Sequence, residues 1–207
     1  MASTHGRFVW YELMTTDTQA AQAFYAAVVG WGMRDVSMPG MTYTLFTAEG
    51  VDAAGMMPQM EDAKKAGVPP TWLGYVGVDD VDASVALVTK LGGVVHHGAT
   101  DIPGVGRFAV VADPQSAVFG LMTWASPGPG DRSPPEPMSK GHAGWHELMA
   151  IDWEKALDFY TTLFGWKKAE AVDMGEMGTY QLFAHGDRSI GGMFNKPPAV
   201  PVPFWGW

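Results

Sequence analysis

Residues 7–14 read as a strand that is largely buried on both sides, with Trp10, Glu12 and Met14 on one face and Val9, Tyr11 and Leu13 on the other. The period then changes. Ala20-Ala21, Phe24 and Ala27-Val28 recur at helical spacing, with Thr16 or Asp17 placed to cap the helix and Gly30 to end it. Three strand-like segments follow near 32–37, 42–48 and 53–57, separated by Pro39-Gly40 and Glu49-Gly50. The stretch reads as one βαβββ unit whose helix packs on its sheet.

The same plan returns after a connector at 59–70, whose Lys64-Lys65 reads as surface charge. A strand over 72–78 leads to Asp79-Asp80 at a helix cap. An amphipathic helix then runs through Val81, Val85, Leu87-Val88 and Leu91 to Gly92-Gly93, and strands near 94–97, 107–112 and 117–124 complete a second unit. Residues 125–141 are rich in Pro, Gly and Ser and too poor in apolar residues to fold alone, so they read as a linker. A third unit spans 143–194, followed by a connector at 195–203. Trp205 then matches Trp72 as the start of a fourth set of strands.

The third unit is a copy of the first. Trp10, Glu12-Leu13-Met14, Asp17, Phe24-Tyr25 and Gly30-Trp31 return as Trp145, Glu147-Leu148-Met149, Asp152, Phe159-Tyr160 and Gly165-Trp166, every position shifted by 135. Beyond a two-residue insertion, Thr42-Tyr43, Leu45-Phe46 and Gly55-Met56 return as Thr179-Tyr180, Leu182-Phe183 and Gly192-Met193, shifted by 137. The chain is a duplication.

Composition narrows the function. With 207 residues and 47% apolar content the chain can bury a sizeable core. Its 22 acidic and 13 basic residues, net −9, form no basic stripe, so nucleic acid is not an expected partner. No cysteine is present, which removes disulfides, thiolate nucleophiles and Cys-ligated zinc. Neither a signal-peptide core nor an apolar run of about 18 residues occurs. No membrane association is expected, and the chain reads as cytoplasmic.

Several motifs together resemble the vicinal oxygen chelate superfamily, which holds glyoxalase I, extradiol dioxygenases and bleomycin-resistance proteins. They are the paired βαβββ units, the Phe-Tyr followed by Gly-Trp (Phe24-Tyr25 with Gly30-Trp31, Phe159-Tyr160 with Gly165-Trp166), Val78-Asp79-Asp80-Val81-Asp82 before a helix, and Asp113-Pro114 before a last strand. The duplicated, four-unit, glyoxalase-like members are the most similar. The resemblance implies an α+β fold in which paired units curl a mixed sheet around a cleft. It also implies two tandem domains, 7–124 (units 7–58 and 72–124) and 142–207, the second incomplete. The lone third unit would leave Trp145, Met149, Phe183, Met193, Trp205 and Trp207 as an uncovered apolar face. The expected remedies are a longer chain, favoured because the end falls inside a predicted strand, or a homodimer completed across a two-fold axis.

In metal-dependent members of that superfamily, ligands come from the first and last strands of a unit. The first-strand position, seven residues before the capping aspartate, falls on Trp10, Leu73 and Trp145, and the last-strand carboxylate position falls on Gly120. None can hold a metal, so no cofactor is expected and the resemblance points to the metal-free, ligand-sequestering branch.

Strand alternation then sends Trp10, Glu12 and Met14 into the cleft, with Trp145, Glu147 and Met149 likewise. Leu73, Tyr75 and Gly77 face Val118, Gly120 and Met122. A cleft lined by Trp10, Met14, Tyr75, Met122, Trp145 and Met149 suits a flat, apolar small molecule with a polar edge. Glu12 and Glu147 are the candidate catalytic bases, able to take a proton or to bind a cationic or hydroxyl group; the structural alternative pairs each with an arginine, for which Arg107 is at hand, or has it cap backbone donors.

His146 should face away from the cleft, and His5, His142 and His185 read as surface or satisfied side chains. His96 or His97 with Glu12 would form an unconventional metal site. The glycines at 50–55 and 104–106 lack the context of phosphate loops and read as turns. Three functions follow. They are a metal-free binder of a small aromatic or hydrophobic metabolite, a lyase, isomerase or dioxygenase using a cleft glutamate with or without a divalent metal, or a structural or protein-interaction module with a filled cleft.

Overall fold

The computed structural model describes residues 3–38, 40–125 and 139–207. Of the 125–141 linker, residues 126–138 lie outside the described residues. In chain order the elements are β1 (Phe8–Thr15), α1 (Thr18–Val28), β2 (Gly32–Asp35), β3 (Thr44–Ala48), β4 (Val51–Pro58), α2 (Glu61–Lys65), β5 (Thr71–Gly77), α3 (Val81–Lys90), β6 (Val94–Ile102), β7 (Gly106–Ala112), β8 (Val118–Trp124), β9 (His146–Ala150), α4 (Trp153–Phe164), β10 (Lys167–Asp173), β11 (Thr179–His185), β12 (Arg188–Asn195) and β13 (Phe204–Gly206). The fold is α+β, with the βαβββ order written three times. Among the described residues no helix is long and apolar enough to cross a membrane.

By its contacts the chain divides into two compact units, one of residues 10–74 and 135–143, the other of 1–9, 75–134 and 144–207, as far as these are described. In the first, β2, β3 and β4 pair antiparallel and β4 runs parallel to β1. Tyr11 and Leu13 on β1 face the helix side, where Leu13, Phe46, Ala54 and Met56 are buried and Ala21, Tyr25, Trp31 and Trp72 pack against them. Asp17 starts α1 by accepting a hydrogen bond from the Ala20 N–H. Tyr25 is fixed by the Trp72 indole, which donates to its hydroxyl at 2.7 Å.

The connector at 59–70 holds one helical turn that hydrophobic periodicity does not predict. α2 has no buried residue, and acidic residues at its start and lysines at its end favour the turn through its dipole.

In the second unit, β6, β7 and β8 pair antiparallel and β8 runs parallel to β5 at Tyr75–Gly77. The sheet of the third βαβββ copy has the order β10-β11-β12-β9-β13, with β12 parallel to β9 and β13 antiparallel to it. One core joins them: Val76, Val88, Val111, Phe119 and Leu121 lie in the same cluster as Leu157, Phe159, Tyr160 and Phe164 of α4. Its polar centre is Asp113, 1% exposed. One carboxylate oxygen accepts from the Gln115 and Ala117 N–H groups, and the other accepts from the Tyr160 hydroxyl at 3.0 Å. The Trp205 indole donates in turn to Tyr160, so the pairing of Trp72 with Tyr25 is repeated.

Trp31 and Trp166, 135 residues apart, each donate an indole N–H to a glycine carbonyl, Gly141 at 2.8 Å and Gly6 at 2.6 Å respectively, and these glycines are also 135 apart.

Candidate functional site

Strand alternation sorts β1 as the sequence predicts. With Tyr11 and Leu13 turned to the core, Trp10, Glu12 and Met14 share the other, partly exposed face. Tyr43, just before β3, joins them. The Trp10 indole donates to the Tyr43 hydroxyl oxygen at 3.0 Å, and that hydroxyl donates to Glu12 Oε2 at 2.8 Å. The tyrosine must cross a strand to do so. Glu12 stands opposite Gly55 on β4, and Gly55 stands opposite Leu45 on β3, so the Tyr43 ring end lies over Gly55, in the space a Cβ there would fill. Burial first, and then the charge of Glu12, push the Tyr43 phenol well above its ordinary range.

The third unit builds the same arrangement. The Trp145 indole donates to the Tyr180 hydroxyl at 2.7 Å, and Tyr180 donates to Glu147 Oε2 at 2.9 Å. Glu147 stands opposite Gly192, Gly192 stands opposite Leu182, and the Tyr180 ring occupies the room over Gly192. Met149 lies on the same face of β9 as Glu147. Phe194 borders the tyrosine, ring centres 5.7 Å apart. This copy is the more open: Trp145 is 37% exposed. Burial and the bond to Glu147 push the Tyr180 phenol up to about 12.

The second unit keeps the glycine and changes the rest. Tyr75 stands on β5 where Glu12 stands on β1, opposite Gly120, and its own ring covers that glycine. Tyr75 and Met122 share a sheet face, and both are buried, at 6% and 4% exposure. The Phe108 ring flanks Tyr75 at 6.4 Å and stacks with His97 at 5.1 Å.

The residues do not fit a metal ion. The last-strand position is glycine in all three units, a tyrosine ring fills the space above each, and the first-strand positions hold Trp10, Leu73 and Trp145. Among the described residues no three His, Asp or Glu side chains converge.

One expectation needs correction. Arg107 serves no glutamate: its guanidinium binds Asp82 through two nitrogens at 2.7 and 2.9 Å and Asp101 at 2.8 Å. Those partners lie on α3 and β6, where the β6–β7 register brings Asp101 opposite Arg107. His146 lies on the face away from Glu147, as expected, and is satisfied there. It is stacked on Phe8 at 3.9 Å, its Nδ1 is 2.6 Å from the Ile190 carbonyl, and burial lowers its pKa to about 4.

Tyr43, Tyr180, Gly55 and Gly192 were not singled out as site residues by sequence reasoning. The signal was present, because all four are identities of the repeat, but only strand register shows that each tyrosine reaches over a glycine to a glutamate.

The family model described as Glyoxalase/Bleomycin resistance protein/Dioxygenase superfamily matches residues 7–119 and 141–206. The chain is 35% identical over 197 residues to "Putative glyoxylase CFP32" of Mycobacterium bovis, covering 93% of this chain and 72% of that protein. It is 32% identical over 200 residues to "Anthracycline biosynthesis protein DnrV" of Streptomyces peucetius, covering 90% and 70%. Among solved structures, a mutant of 4-hydroxymandelate synthase from Streptomyces coelicolor superposes with a TM-score of 0.67 at 16% identity, covering 95% of this chain and 65% of that one. The Mn(II)-bound glyoxalase from Novosphingobium aromaticivorans gives 0.64 at 18% identity, covering 95% and 64%. The chain thus spans just under two thirds of the length of these structural relatives.

Proposed function

The chain belongs to the glyoxalase/bleomycin resistance protein/dioxygenase superfamily, and from that premise we propose that it binds a small aromatic or hydrophobic metabolite on its Trp–Tyr–Glu faces, without the family's metal site. One observation carries the reading: the same indole–phenol–carboxylate chain, with glycine beneath the phenol, is built twice, once around β1 and once around β9. Each face sets a tryptophan and a methionine beside one fixed polar group, a combination that suits a flat apolar body with one polar edge. The name of DnrV ties a relative to the biosynthesis of anthracyclines, which supports an aromatic ligand.

Titration of intrinsic tryptophan fluorescence with planar aromatics and with aliphatics of equal size tests this. Saturable quenching by the aromatics, weakened by Glu147→Gln and Glu12→Gln, is expected. Equal response to both sets removes the reading, and near-stoichiometric metal by mass spectrometry removes its metal-free part.

A second reading has its own support. A carboxylate held by a tyrosine is a positioned proton acceptor, and CFP32 carries the name of a glyoxylase. Glutamate-dependent exchange of acidic C–H protons of a bound substrate for deuterium would favour a lyase or isomerase.

A further inference from the structure

The bonds at Glu147 admit one polarity. An indole N–H donates and cannot accept, and an ionised carboxylate accepts and cannot donate. The Tyr180 oxygen therefore takes the Trp145 hydrogen, and the Tyr180 hydrogen goes to Glu147. Both donors are consumed within the chain. A phenol pushed up to about 12 keeps that proton across the physiological range. Among the described residues Glu147 makes no further hydrogen bond or ion pair, so what it offers a ligand is its second oxygen and remaining lone pairs.

We infer that the Glu147 face is an acceptor-only site, whose ligand is an aromatic bearing a hydrogen-bond donor at its edge, an ammonium, amine or phenolic hydroxyl, and that aromatic carboxylates and phosphates are rejected. The inference rests on the binding reading above and sharpens it. Rejection follows from charge as well as from geometry: an anionic ligand edge would meet a carboxylate with no donor between them. Trp10, Tyr43 and Glu12 repeat the two bonds, so the test removes both carboxylates.

Isothermal titration with three naphthalene probes of one shape, 2-naphthylmethylammonium, 2-naphthol and 2-naphthoate, tests the polarity. Ionic strength of about 0.15 M limits the pull of the protein's overall charge. The ammonium and naphthol are expected to bind at least roughly tenfold more tightly than the naphthoate, as a charge-assisted bond gained or refused requires. The double variant Glu12→Gln/Glu147→Gln, which keeps shape and adds an amide donor, should erase the ammonium preference and let naphthoate in. Naphthoate binding the wild-type protein as tightly as the ammonium overturns the inference while leaving aromatic binding intact. An ammonium preference that survives the double variant also overturns it, since net charge is then its source. If no probe binds, the binding reading falls and the inference falls with it.

Discussion

Helices α1 and α4 are copies of one segment in different surroundings, and the contrast separates what a repeat carries from what its neighbours supply. Both are capped by an aspartate, Asp17 or Asp152, that accepts from the N–H three residues on. Both hold a tyrosine to a tryptophan of the strand that follows the βαβββ unit, Trp72 on β5 or Trp205 on β13. Yet α1 has no buried residue, with Phe24 55% exposed, whereas its counterpart Phe159 is 5% exposed. The cause is on the far side of the helix. Phe159 and Phe164 meet the edge of Phe119 from β8, at 6.3 and 5.8 Å, within one shared core. Substitution follows burial: Leu157, buried in α4, stands where α1 has Gln22.

The sharpest way to break that comparison is to truncate the matched phenylalanines. Phe159→Ala should cost about 3–5 kcal/mol in urea unfolding through lost transfer energy and a cavity, and Phe24→Ala should stay within about 0.5 kcal/mol. Similar costs would mean that the two helices are equally packed.

The next effect is one of pH, confined to one copy. Where the first copy has Tyr11, whose phenol burial raises and which keeps its proton in this range, the third has His146, held at about 4 against an ordinary 6.5. Between those values the unfolded chain binds a proton that the folded chain refuses. Stability contributed by the neutral imidazole is therefore complete above about 6.5 and drains away as pH falls towards 4, by up to about 3 kcal/mol. His146→Phe should flatten the slope of stability against pH in that window; an unchanged slope would assign it elsewhere.

Glycine substitutions come third. Gly192→Ala or Gly55→Ala places a methyl group where Tyr180 or Tyr43 lies, so each should cost about 1–3 kcal/mol by overpacking and weaken aromatic binding by displacing the phenol from its glutamate. Unaltered probe affinity would separate the tyrosines from the site. The smallest effect compares those tyrosines directly. Tyr180→Phe should cost about 1 kcal/mol, and Tyr43→Phe more, because the deeper burial of Tyr43 leaves its stranded partners drier.

Much of this was legible in the chain. The duplication and strand alternation placed Trp10, Glu12 and Met14 on one face, and Trp145, Glu147 and Met149 on its counterpart, because a period of two needs no knowledge of partners. α2 escaped because five residues with no buried side chain leave no hydrophobic period to read. Arg107 was misassigned because an ion pair is settled by register, which brings Asp101 opposite it, and no spacing of charges along the chain encodes that. The tyrosines were visible as identities and silent as to role.

By itself the sequence determined the repeated βαβββ plan, the capped helices and the sidedness of each strand. These are local matters, set by periodicity, cap chemistry and side-chain type. Tertiary structure decided which helix copy is covered, that a buried Asp113 joins the second and third units through Tyr160, and that Tyr43 and Tyr180 connect a tryptophan to a glutamate. Those depend on cross-strand register and packing, which bring together residues 31 to 47 positions apart, and only the folded sheet fixes that alignment.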